Sequence, residues 1–184
     1  MPINVYIDKT NLPENWRESH GVILTEALAE WTTASNGNIT FNVVSSPTNP
    51  CINIKWVKDH PFGQADAAGV AKLNSIVLSG RNYIQDVQIE IATTSPGGLP
   101  YTNNGMKISS LHEIGHALGL WGHSDNPNDL MYYTGPAIGY SISENDALTL
   151  NALYALRADV PEAPAGTKTR VPSFEYVITI GNRK

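Results

Sequence analysis

Two histidines four residues apart, His112 and His116, are the first residues in this chain whose spacing could do chemistry. On an α-helix that separation is about one turn of 5.4 Å, so both imidazoles project from one face. Two nitrogens so placed can reach one ion at about 2.0–2.1 Å, the usual zinc distance. Glu113 follows the first histidine and lies roughly 100° round the helix, too far to join as a ligand but near enough to touch a water bound there. His-Glu-x-x-His on a helix therefore reads as two zinc ligands and a general base. The plainer alternative is a polar helix face that happens to carry two histidines. Gly119 and His123 argue against it. A glycine three residues after His116 can end the helix in the left-handed conformation and turn the chain back. His123 then follows the turn, and a catalytic zinc wants three protein ligands and one open position. Met131 completes the pattern.

These residues, in HEIGHALGLWGHS followed by LMYY, resemble the metzincin clan of zinc endopeptidases, and within it most closely the matrixins, the matrix-metalloproteinase family. The resemblance runs from about Ile3 to Arg157. It implies that His112, His116 and His123 bind zinc, that Glu113 is the catalytic acid/base, and that Met131 forms an apolar floor under the metal. It implies a zinc metalloendopeptidase acting on protein or peptide bound extended in a cleft, monomeric and secreted. Two departures stand out. The usual matrixin spacing puts the third histidine where Gly122 stands, so Leu120-Trp121-Gly122 carries one extra residue, and the glycine is expected to absorb it as a bulge. Matrixins usually have proline two residues past the methionine, where this chain has Tyr133. Tyrosine there is similar to the astacin and serralysin branches, so Tyr133 is a further catalytic candidate, as a resting metal ligand or oxyanion donor, or else part of the pocket wall.

The remaining chain must position this group. It has 184 residues, 41% of them hydrophobic, enough for one domain with a sizeable core. A net charge of −5 without blocks of like charge argues against nucleic acid or an anionic membrane as partner. No run of about 20 apolar residues suggests a membrane span. The N-terminal residues lack the basic and apolar regions of a signal peptide. Cys51 is the single cysteine and reads as a buried structural thiol, not a zinc-masking one.

Ile3–Ile7, Ile39–Val43, Ile52–Trp56 and Val87–Ile91 alternate apolar and polar residues and predict strands with one covered face. Trp16 to Trp31 recurs at three- and four-residue steps and predicts an amphipathic helix, begun near Pro13 and ended near Ala34. His20, on that helix, is expected to pack or lie on the surface. Short strands are expected at Gly69–Leu73 and Ile76–Leu78. The active-site helix is expected from about Gly105 to Leu118, capped by Asn103 or Asn104. Gly115 inside it implies close packing against the sheet or the first helix. Ser141 with Glu144, or Ser143 with Asp146, offers a capping box for a last helix.

Together these imply an α+β fold of metzincin type. It has a twisted, mostly parallel sheet of about five strands with an edge strand lining the cleft, two long helices on one face, and a small C-terminal subdomain with the Met-turn and closing helix. Residues 1–158 form the catalytic domain, and 159–184 a linker and extension of unassigned role in which PSFEYVITI looks strand-like. His60 with Asp59 is expected to be an ordinary loop. Asp66 and Asp86 could serve calcium, though solvated loop carboxylates are the simpler reading. A glutamate third ligand such as Glu144, and a zinc-stabilised peptide-binding module without turnover, are the rival readings.

Overall fold

The computed structural model describes residues 2–78, 81–95, 97–157 and 176–181, with the backbone alone for 75–78, 81–85, 156–157 and 176–181. Six strands form one sheet: β1 (Ile3–Asp8), β2 (Phe41–Val44), β3 (Cys51–Val57), β4 (Ala67–Leu78), β5 (Arg81–Ala92) and β6 (Tyr176–Gly181). Their order is β2-β1-β3-β5-β4-β6. The first four are mutually parallel, and β4 and then β6 are added antiparallel. Alternation along β3 does what its sequence implies: Ile52, Ile54 and Trp56 are buried while Lys55 is exposed. Cys51 is buried at the start of the same strand.

Among the described residues three α-helices complete the fold: α1 (Glu18–Ala34), α2 (Asn103–Ala117) and α3 (Glu144–Arg157). α1 buries Ile23, Leu24, Ala27, Leu28 and Trp31, a stripe at helical spacing, in a core shared with Ile54, Ile89, Met106, Leu111 and Ile114. Trp31 Nε1 donates to the Leu111 carbonyl at 2.9 Å, which fixes α1 against α2. Gly115 is the other reason they approach closely. A Cβ there would stand 2.9 Å from Trp31 Cζ2 and 2.6 Å from Met131 Sδ. Asn151 of α3 donates to the Ala34 carbonyl at the end of α1.

Several boundaries differ from expectation. α1 begins at Glu18 and not near Pro13, because Asn11–Trp16 is held in turns and Asn15 is bonded to Thr93 and Thr94. β2 begins at Phe41, since the Ile39 N–H goes to Ser35 Oγ. α2 is capped by Thr102, whose hydroxyl accepts from the Gly105 N–H, and not by Asn103 or Asn104. Of the two capping boxes offered for α3, the second forms, Ser143 with Asp146, and Ser141 with Glu144 does not. The two short strands expected between Gly69 and Leu78 are one strand of 12 residues, interrupted by a register shift at Asn74/Ser75. Within the strand-like C-terminal segment, Tyr176–Gly181 is a sixth strand, so β4 is the edge only of the first five, and the expected linker, at 158–175, lies outside the described residues. No described helix is long and apolar enough to cross a membrane.

Candidate metal centre

α2 is buried almost all round from Ser109 to Ala117, and both of its histidines and Glu113 lie in that stretch with 0% exposure. A buried polar group must find partners or cost stability. Each helix histidine finds one on its inner nitrogen. His112 Nδ1 donates to the Leu130 carbonyl at 2.9 Å, and His116 Nδ1 donates to the Leu120 carbonyl at 2.6 Å. A carbonyl can only accept, so Nδ1 carries the hydrogen and Nε2 keeps its lone pair.

Those Nε2 atoms converge. The ligand atoms of His112, His116 and His123 lie within 4.8 Å of one another, and all three Nε2 atoms are buried without a partner. His112 and His116 rings meet edge to face at 4.6 Å, and His123 closes the triangle at 5.3 and 5.1 Å. Burial holds each imidazole below its ordinary pKa, with His116 and His123 adding to the effect on His112 and His123 adding to that on His116, which falls to about 3. Three neutral imidazoles with orphaned, convergent nitrogens could hold one metal ion, and the donor set is of the kind that binds catalytic zinc.

The extra residue before His123 is absorbed, though not as expected. The turn is made at Gly119, with φ +109°, while the Leu120 N–H returns to the Gly115 carbonyl. Gly122 has no positive φ, and a Cβ there would meet nothing within 4 Å. The extra length lies in a loop that needs no glycine at that position. His123 is held from behind. The Ser124 N–H donates to the Met131 carbonyl, and Ser124 Oγ donates to Asp129 at 2.7 Å. Asp129 also accepts from Asn126 and, across the gap to α3, from Asn145. Met131 is buried, with its sulfur against Gly115.

Glu113 has both carboxylate oxygens buried without a hydrogen-bond partner. Burial pushes its pKa well up. The nearby Ala71 N–H acts in the opposite direction but falls short of hydrogen-bond geometry. Tyr133 is half exposed, with its ring edge to face on His123 at 5.4 Å.

The other candidates stay apart. His60 pairs with Asp59 at 2.9 Å on an exposed turn. His20 is buried on α1, where its Nδ1 accepts from the Arg17 N–H. Asp86 accepts from Asn74 and Gln88. Among the described residues only the three histidines make a metal-type cluster, so Asp66, Asp86 and Glu144 join none.

Four residues with no motif of their own support the site. Gly69 and Ala71 of β4 lie against Glu113. Asp129 ties the His123 loop to α3. Asp146 accepts from the Leu130 N–H at 2.8 Å, on the residue whose carbonyl orients His112. Only Asp146 had a visible signal, as the partner of Ser143 in a capping box.

A comparison with curated proteins finds no match. The sequence profile of the matrixin family matches residues 4–155, most of the chain and the whole of the three-histidine centre, and the chain belongs to that family.

Proposed function

We propose that the chain is a zinc-dependent endopeptidase in which His112, His116 and His123 hold the metal and Glu113 is the acid/base. One observation carries the reading: three unpartnered Nε2 atoms within 4.8 Å of one another, with an unpartnered buried carboxylate on the same helix. Membership of the matrixin family, which is generally extracellular, implies the same class of enzyme and location. When bound, zinc lowers the pKa of a coordinated water to about 7 and polarises the scissile carbonyl as a Lewis acid.

The chain's residues supply the rest. The Leu130 and Leu120 carbonyls hold His112 and His116 in the tautomer that offers Nε2. Glu113, desolvated and without a competing partner, accepts the proton of the attacking water and hands it to the leaving amine. Met131 is the Met-turn residue, its sulfur packed beneath the ligand helix, and α3 is the closing helix of the small C-terminal subdomain. Tyr133 donates to the developing oxyanion or lines the pocket, a reading supported by its ring contact with His123. The substrate is an extended peptide, met by a monomer.

The rival is a zinc-stabilised peptide binder without turnover. A fluorogenic peptide library, assayed with and without chelator on the native chain and on Glu113→Ala, separates them. The endopeptidase cleaves, chelator stops it, and Glu113→Ala loses at least about 100-fold in rate, in the range for a general base, while its zinc content is unchanged. Cleavage that survives in Glu113→Ala and still needs the metal would remove Glu113 from the role.

A further inference from the structure

The outer side of β4 is already occupied. β6 pairs with it antiparallel over Ala67–Leu73, with Ala71 opposite Ile178, Lys72 opposite Val177 and Leu73 opposite Tyr176. This is the same stretch of β4 that touches the candidate base, for Gly69 and Ala71 both lie against Glu113. The register slips between Ala67 and Val70, beside Gly69. β6 also approaches α2, the helix that carries Glu113 and two of the histidines. The family profile ends at residue 155, well before β6 begins, so the strand is an addition to the matched unit.

A free sheet edge beside a reactive centre binds extended peptide by adding it as a strand, through main-chain hydrogen bonds. One edge takes one strand. A segment of the same chain also has the advantage of a high effective concentration over any peptide in solution. With β6 in place, Ala67, Val70, Ala71, Lys72 and Leu73 are already paired and offer an incoming peptide no free main-chain partners.

We propose that β6 is a cis-acting inhibitory strand: it holds the peptide-binding edge of β4 closed, and the site works only when β6 leaves. This rests on the endopeptidase reading for its consequence in turnover, but the competition for the edge stands apart from catalysis. The ligand excluded is any extended peptide able to pair with Ala67–Leu73, and the chain's own residues 173–184 are the simplest such probe.

The experiment uses the full chain. In a Glu113→Ala background, Val177→Pro/Ile178→Pro removes two consecutive N–H groups from β6, so the pairing is broken whichever of them faces β4. Binding of a labelled peptide with the sequence of residues 173–184 is then read by fluorescence anisotropy. The double-proline chain binds it at least tenfold more tightly than its parent. Equal binding by both overturns the proposal. In the active background the same prolines raise kcat/KM on the peptide library at least tenfold.

A second variant does not depend on a broken strand folding well. Leu73→Cys/Tyr176→Cys places a disulfide across a paired position, locking β6 down when oxidised. Oxidation lowers peptide cleavage at least tenfold and reduction restores it. Cleavage that oxidation leaves unchanged, or that proline substitution abolishes with the zinc still bound, makes β6 a structural strand and refutes the proposal. If no form of the chain cleaves any peptide, the endopeptidase reading fails, and the anisotropy result still decides whether β6 covers the edge.

Discussion

Gly69 of β4 and Glu113 of α2 are in contact: a Cβ built on Gly69 would stand 2.7 Å from Glu113 Cγ and 2.8 Å from its Oε1. The glycine does not answer a turn, since its φ is not positive. It answers the width of a carboxylate. The candidate base is wedged between a helix and the backbone of the strand expected to border the cleft, and the absence of a side chain at position 69 leaves room for it.

Gly69→Ala therefore displaces the carboxylate without emptying the core. The group that must yield is a side chain, while the β4 backbone at Gly69 is held by its pairing with β5. A misplacement of about 1 Å in a reacting group can cost around 100-fold. The expected result is a kcat reduced about 10- to 100-fold with zinc content retained and the melting temperature within a few degrees of the native chain. Loss of zinc together with a large fall in melting temperature would show that the glycine serves packing alone.

The two glycines of the loop before His123 should behave oppositely. Gly119 has φ +109°, and a Cβ there would stand 2.9 Å from Leu153 Cδ2 on α3. Gly119→Ala combines backbone strain with overpacking and is expected to cost about 1–3 kcal/mol. Gly122→Ala meets open space and is expected to stay within about 0.5 kcal/mol of the native chain. Urea unfolding of both variants checks the pair. A large loss at Gly122 would mean that the extra residue is accommodated by that glycine's flexibility after all.

That contrast illustrates what the sequence could and could not disclose. His112, Glu113 and His116 were legible because helical periodicity converts their spacing directly into one face and one offset residue. His123 was legible as the third member of the histidine cluster, yet the way its loop absorbs an extra residue was not, because backbone angles at Gly119 and Gly122 are not distinguished by residue type. Gly69 carried no signal, since its importance lies in a tertiary contact between β4 and α2. The Ala- and Gly-rich composition of β4 also hid its length. Two short apolar runs with a bulge between them look like two strands until β5 supplies the other half of the ladder. Thr102 precedes the expected caps of α2 by one or two residues, and Ser143 is the second of the two caps offered for α3, as happens where several good capping residues are adjacent.

Asp146 links α3 to the candidate metal centre through Leu130. Its carboxylate accepts from the Leu130 N–H, and the Leu130 carbonyl accepts from His112. Removing the acceptor leaves a buried N–H unpaired and frees the peptide that orients the ligand. Asp146→Ala should cost about 1–3 kcal/mol of stability. It should also weaken zinc affinity by about 10- to 100-fold, the usual effect of losing an outer partner of a ligand. Competition against a zinc chelator measures the second effect. Unchanged affinity in a destabilised protein would show that Asp146 only caps α3.

The same carboxylate makes stability depend on pH in a known direction. Burial raises its pKa above the ordinary 3.8, with the nearby Asp129 adding to the effect and hydrogen bonds from Ser143 and Leu130 opposing it. A group whose folded pKa exceeds its unfolded one binds its proton more tightly in the folded state. Its stabilising contribution is therefore complete below about pH 3.8 and is lost as pH rises through the folded pKa. Asp146→Asn cannot titrate, yet keeps a carbonyl oxygen for the Leu130 N–H. The difference in unfolding free energy, native minus variant, should then decline as pH is raised from about 3.5 and level off once Asp146 is ionised in the folded chain. Taking the difference cancels the titration of the histidines and of Glu113, which both proteins share. A difference that grows with pH over this window would mean that the hydrogen bonds to Asp146 outweigh its burial, and that the cap favours the charged form.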